Sequence, residues 1–143
     1  MSIIKKASAI YHSLGKKAKA SVSTESGALK DQPYGFNTRF EDKPGTNPEE
    51  LIAAAHASCF TMALSFALEG EGYSSGQLKT EADVSLDKDG DGFTVTKSAL
   101  SLAAQVDDID GDEFERIAQT AKANCPISKL LDTEITLEYT LNQ

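Results

Sequence analysis

The chain has 143 residues, with 22 acidic residues against 14 lysines and arginines, a formal net charge of −8. That balance leaves no general basic face for nucleic acid or an anionic membrane surface, so neither is expected as a partner. Apolar residues make up 40% and charged residues 25% of the chain, with no low-complexity tract, so one globular domain over residues 1–143 is expected.

Met1 to Ala9 holds no apolar stretch of the length a secretory signal needs, and a cytoplasmic location is expected. In that reducing compartment a cysteine pair is more often catalytic, redox-sensing or metal-binding than a permanent cross-link.

In chain order, Ile3 to Tyr11 and Ala18 to Thr24 read as opening strands, broken by Gly15 and Gly27. Gln32 to Gly45 reads as irregular, with Pro33, Gly35, Pro44 and Gly45 set around Tyr34, Phe36, Arg39 and Phe40. The run Thr46-Asn47-Pro48-Glu49-Glu50 starts a helix: Asn47 can cap, Pro48 fits the first turn and Glu50 takes the reciprocal capping-box position. This helix carries the Ala-rich run Leu51 to Leu68 and should end near Gly70 and Gly72. The run reaches transmembrane length, but His56, Ser58, Thr61 and Ser65 interrupt it, so a helix buried in protein is expected.

Leu78, Thr80, Ala82, Val84 and Leu86 alternate with polar residues, the period of a strand with one buried face. Asp87 to Gly92 turns the chain into a second strand that runs through Val106. Asp110 to Ala123 is a second long helix, with Phe114, Ile117, Ala118 and Ala121 on one face. Pro126 cannot continue that helix, so a short one from Pro126 to Leu131 leaves at an angle, and Ile135, Leu137, Tyr139 and Leu141 mark a closing strand. The layout is α+β, without the regular alternation of a parallel-sheet enzyme.

Two cysteines are present, Cys59 midway along the first long helix and Cys125 directly before Pro126. The second position puts a thiol at a helix N-terminus, where partial positive charge favours a thiolate. Spacing alone leaves two readings open, a reacting pair and a buried inert pair.

His56 and Cys59 are three apart and share a helix face, which would suit either a thiolate–imidazolium pair or a histidine satisfied by a local hydrogen bond. A mid-helix nucleophile has no free backbone N–H groups for an oxyanion hole, which weighs against acyl transfer. A structural zinc site would need both cysteines and both histidines, and His12 has no partner spacing, so no metal or other cofactor is expected. Asp87 to Gly92 matches the first half of a calcium loop, but Ser98 stands where the closing Glu is required, so a hairpin turn is expected. Glu50 and Cys59 are nine positions apart, half a turn out of phase and ~13 Å along a helix axis. If Glu50 and Arg39 serve Cys59, a second subunit must bring them there.

The segments Pro33-Tyr34-Gly35-Phe36-Asn37-Thr38-Arg39-Phe40, Gly45-Thr46-Asn47-Pro48-Glu49-Glu50-Leu51, Ala54-Ala55-His56-Ala57-Ser58-Cys59-Phe60 and Asn124-Cys125-Pro126-Ile127-Ser128 together resemble the osmotically inducible protein C (OsmC) family, related to the organic hydroperoxide resistance (Ohr) proteins. The resemblance runs over nearly the whole chain. It implies an α+β OsmC-like fold, antiparallel sheets wrapped around central helices in an intertwined homodimer with two sites at the subunit interface. It further implies a thiol-dependent peroxidase in oxidative and osmotic stress defence, reducing organic hydroperoxides and, less well, hydrogen peroxide.

By the same resemblance Cys59 is the peroxidatic cysteine, Cys125 the resolving cysteine, Arg39 the cation that stabilises the thiolate, and Glu50 the acid that holds Arg39. Peroxide would convert Cys59 to a sulfenic acid, a Cys59–Cys125 disulfide would follow, and a dithiol, on a lipoylated protein or a small molecule, would reopen it. Phe36, Phe40, Phe60 and Met62 are candidates for an apolar lining of the substrate site. The alternative function is a redox-sensing or ligand-binding stress protein in which the same cysteines oxidise without turnover.

Overall fold

A computed structural model describes residues 1–143 and shows two compact units, Met1–Leu51 and Ile52–Gln143, in a mixed α+β chain. In the first unit, β1 (Ala7–His12), β2 (Lys19–Thr24) and β3 (Gln32–Tyr34) form an antiparallel sheet in that order. A one-turn helix, α1 (Phe36–Phe40), follows. The stretch expected to be irregular thus holds two elements, both too short to show a period; Pro33 is tolerated because β3 is an edge strand. Gly45 has φ +141°, and a Cβ there would lie 2.4 Å from the Pro33 carbonyl oxygen. Only glycine permits that approach, which lets the Thr46 N–H donate to the same carbonyl at 2.9 Å and fixes the chain just ahead of the next helix.

That helix, α2 (Pro48–Gly70), starts where the motif predicts, with the Asn47 side-chain oxygen accepting from the Glu50 N–H at 2.8 Å. It gives way to a turn at Glu71 and Gly72, where φ is +96° at Gly72. It buries one stripe only, His56, Phe60, Leu64 and Leu68, spaced four residues apart. Met62 and Phe66 are 57% and 67% exposed, so the helix expected to be buried in protein leaves one face open within the single chain.

In the second unit, β4 (Gly76–Asp89) and β5 (Gly92–Val106) form a long hairpin whose turn is only Gly90 and Asp91. Asp87 and Asp89 belong to β4, and their carboxylates accept from the hydroxyls of Thr96 and Thr94 across the hairpin. The helices α3 (Gly111–Asn124) and α4 (Pro126–Leu130) lead to the last strand, β6 (Glu134–Leu141). The α3–α4 crossover returns the chain to the end at which it started, so β6 runs parallel to β5, from Lys97 opposite Glu134 to Ala104 opposite Leu141. The expectation of antiparallel sheets therefore holds for β1–β3 and for β4–β5, while β6 is the exception.

The core of this unit joins Phe60, Leu64 and Leu68 of α2, Leu100, Leu102, Ala104 and Val106 of β5, and Phe114, Ile117, Ala118 and Ala121 of α3. Each large side chain removed from water there contributes about 1.5–3 kcal/mol. Cys125 belongs to the same cluster, and Cys59 packs against it.

Candidate active site

Cys125 sits at the corner between α3 and α4. Its N–H donates to the Ala121 carbonyl at 2.9 Å, ending one helix, and its carbonyl accepts from the Lys129 N–H at 3.1 Å, beginning the next. Pro126 at the first position of α4 makes this change of direction obligatory. Cys125 is wholly buried, Cys59 half-buried, and both are free thiols.

Cys59 packs against the cluster that contains Cys125, and the two thiols influence each other's acidity in opposite directions. Burial pushes the Cys59 thiol up, its contact with Cys125 adds to that, and the Ile127 N–H offsets only part. Burial also pushes Cys125 up, but Cys59, the N–H and hydroxyl of Ser128 and the Ile127 N–H outweigh it and bring the thiol below its ordinary value. The Cys125 sulfur makes no regular helix-capping bond; it lies among several donors that together favour its anion. Within one chain, therefore, Cys125 is the more acidic thiol, as its position before Pro126 predicts.

His56 lies one turn before Cys59 and is wholly buried. Its Nδ1 is 2.6 Å from the Ser98 hydroxyl and its Nε2 2.8 Å from the Ser128 hydroxyl. Both ring nitrogens are thus occupied, and burial holds the imidazole pKa below its ordinary value. A neutral ring engaged by two serines is no partner for a thiolate–imidazolium pair, which removes the geometric basis for acyl transfer.

In the first unit, Arg39 is held by Glu49. Its Nε lies 3.1 Å from both Glu49 carboxylate oxygens, and its Nη2 donates to Oε1. Glu50, expected from the resemblance to hold Arg39, does not: its Oε1 accepts from the Thr46 hydroxyl at 2.9 Å. The cause is local. Capping by Asn47 fixes Glu50 at the third helical position, beside Thr46, and successive helical residues diverge by about 100°, which turns Glu49 away to meet Arg39.

Arg39 also stacks on the Phe40 ring, 5.4 Å from its centroid, and borders a cavity of ≈ 360 Å³ lined by Tyr11, Tyr34, Phe36, Phe40 and Pro48. Of the four residues expected as an apolar lining, Phe36 and Phe40 line this cavity, Phe60 is a core residue with no exposure, and Met62 lies on the open face of α2.

A family model described as OsmC-like protein matches residues 40–140. The chain belongs to the OsmC-like family. It is 55% identical over 141 residues, 99% of each chain, to Peroxiredoxin OsmC of Escherichia coli strain K12. It is also similar to the crystal structure of the organic hydroperoxide resistance protein OhrB of Bacillus subtilis, with a TM-score of 0.71 at 26% identity, covering 96% of this chain and 98% of that one. The fold alone is shared with an OsmC-like protein from Mycoplasma pneumoniae, with a TM-score of 0.78 at 13% identity over the full length of both chains.

In this OsmC-like chain, three contributors escape a reading of the sequence. Glu49 is adjacent to an acid with an obvious capping role, and only the helix phase separates the two. Ser98 and Ser128 lie 42 and 72 residues from His56 and carry no motif of their own, so only the fold brings them together.

Proposed function

We propose that the chain is a cysteine-based peroxidase of stress defence that reduces organic hydroperoxides and, less well, hydrogen peroxide. The observation that carries this is a pair of free thiols, Cys125 in the buried cluster and Cys59 packed against it, in a chain 55% identical to a peroxiredoxin. The Cys59 thiolate attacks one peroxide oxygen; the O–O bond breaks, the alkoxide leaves and takes up a proton as an alcohol, and Cys59 becomes a sulfenic acid. The Cys125 thiolate then attacks the Cys59 sulfur, an S–S bond forms, and hydroxide departs as water. An external dithiol, on a small molecule or a lipoylated protein, reopens the bridge by thiol–disulfide exchange and is itself oxidised.

Cys59 is the less acidic thiol within one chain, so its role as first nucleophile requires a cation from elsewhere. Arg39 of a second copy supplies it in a homodimer, and Glu49, in place of Glu50, holds that guanidinium in its working orientation. Support for the dimer comes from apolar side chains open to solvent in each unit, Ile3, Ile4, Ile10 and Leu14 in the first and Met62 and Phe66 in the second. The aromatic walls contributed by Tyr11, Tyr34, Phe36 and Phe40 favour a peroxide with an organic substituent. Such a cycle fits a reducing cytoplasm, where dithiol donors are available. Steady-state loss of cumene hydroperoxide with dihydrolipoamide as donor tests the reading: many turnovers are expected, and a single stoichiometric oxidation would instead indicate a sensor.

A further inference from the structure

His56 is a wholly buried titratable group, bonded at both ring nitrogens, that the peroxidase cycle above does not use. Its surroundings have an order that points to one. On α2, His56 and Cys59 are one turn apart; across from them Cys125 and Ser128 are likewise one turn apart at the start of α4. Cys59 packs against the cluster that contains Cys125, and one turn away His56 meets Ser128. We propose that His56 is a positioning residue for the resolving step: clamped between Ser98 and Ser128, it turns the Ser128 hydroxyl into a donor toward the Cys125 sulfur.

The argument is one of counting hydrogens. A neutral imidazole has one N–H and one lone pair, so one serine must accept from the ring and the other must donate to it. With the proton on Nε2, the ring donates to Ser128 Oγ, the Ser98 hydroxyl donates to Nδ1, and the Ser128 hydrogen is left to point at Cys125. With the proton on Nδ1, Ser98 accepts, Ser128 spends its hydrogen on Nε2, and only lone pairs face the sulfur. The first arrangement suits a Cys125 thiolate and the second a thiol, so the ring tautomer and the charge of Cys125 are linked. Burial of both serines keeps water from supplying the missing donor.

The groups that face Cys125 and this relay are few. The titratable ones are Cys59 and His56, both from α2; β5 supplies Ser98, α4 supplies Ser128, and α3 presents the apolar Ala118 and Ala121. Burial opposes the Cys125 thiolate, and the Ser128 hydroxyl is among the groups that outweigh it and lower the Cys125 pKa. In the resolving step the thiolate so held attacks the Cys59 sulfenic acid: the S–S bond forms, the S–O bond breaks, and hydroxide leaves with a proton as water.

This inference rests on the peroxidase reading for its purpose, and its test does not need peroxide. Thiolate absorbance at 240 nm, taken against pH in a Cys59→Ser background with the double cysteine variant subtracted, reports Cys125 alone without requiring access to it. Adding Ser128→Ala or His56→Gln is expected to raise the midpoint by about one pH unit, a tenfold loss of thiolate at neutral pH, while Ser128→Thr, which keeps the hydroxyl, restores it. Near-ultraviolet circular dichroism confirms that each variant is folded. An unchanged midpoint in folded Ser128→Ala overturns the proposal. In the otherwise wild-type chain, one equivalent of cumene hydroperoxide should close the disulfide about tenfold more slowly with Ser128→Ala, with Cys59 oxidation little altered. A shifted midpoint in a protein that forms no disulfide with hydroperoxide would sink the peroxidase reading and leave the relay standing.

Discussion

Glu49 grips the Arg39 guanidinium at both its Nε and its Nη2, while its neighbour Glu50 is tied to the Thr46 hydroxyl. Two adjacent acids at one helix start therefore do separate work. Glu49→Gln is expected to lower kcat/KM for an organic hydroperoxide by about tenfold to a hundredfold, because a loosened arginine no longer presents fixed charge to the reacting sulfur. Glu50→Gln should leave turnover near wild type and cost at most about 1 kcal/mol of stability. Kinetics of the two variants side by side decide the assignment, and equal losses would contradict it.

The buried His56 makes stability depend on pH. Its pKa in the folded protein lies below the ordinary 6.5, so as pH falls through 6.5 the unfolded chain takes up a proton that the folded ring refuses. Stability should then be full above 6.5 and decline as pH drops toward the folded value. Urea titrations at pH 7, 6 and 5 should show a steeper decline for wild type than for His56→Asn, in which this proton is absent. Parallel declines would mean that the ring is not held neutral.

Met62 and Phe66 lie on the open face of α2, and a second copy covering that face would bury them. If the proposed dimer is correct, Phe66→Arg is expected to convert it to monomer in sedimentation velocity and to abolish peroxidase turnover together, because Arg39 would then no longer reach the Cys59 of another chain. Full activity in a monomeric variant would contradict the shared-site arrangement.

Phe60 follows Cys59 directly, yet it faces the core and has no exposure. Phe60→Ala should cost about 3–5 kcal/mol of unfolding free energy. Phe36→Ala, at the wall of the Arg39 cavity, should cost much less stability while raising KM for cumene hydroperoxide relative to hydrogen peroxide. Denaturant curves and paired substrate kinetics distinguish the two aromatics.

Much of this was legible in the sequence because the signals were local. Asn47-Pro48 marks the start of α2, the apolar face of Phe114, Ile117, Ala118 and Ala121 marks α3, and alternation marks β4 and β6. What escaped was set by tertiary geometry. The parallel placement of β6 beside β5 depends on where the α3–α4 crossover delivers the chain, which no period records. The partner of Arg39 turned on a single step of helix phase, and the two serines around His56 come from β5 and α4. The long apolar helix looked buried because composition cannot tell a core inside the chain from a face left open at the surface of a single chain.

The most direct test is the mass of the intact protein after one equivalent of cumene hydroperoxide, without reductant. Wild type should become lighter by two hydrogen atoms, with the bridge mapped to Cys59 and Cys125. Cys125→Ser should instead gain one oxygen on Cys59, and Cys59→Ser should remain unchanged. Oxidation that persists in Cys59→Ser, or a wild-type product that gains oxygen without forming the bridge, would contradict the two-cysteine account.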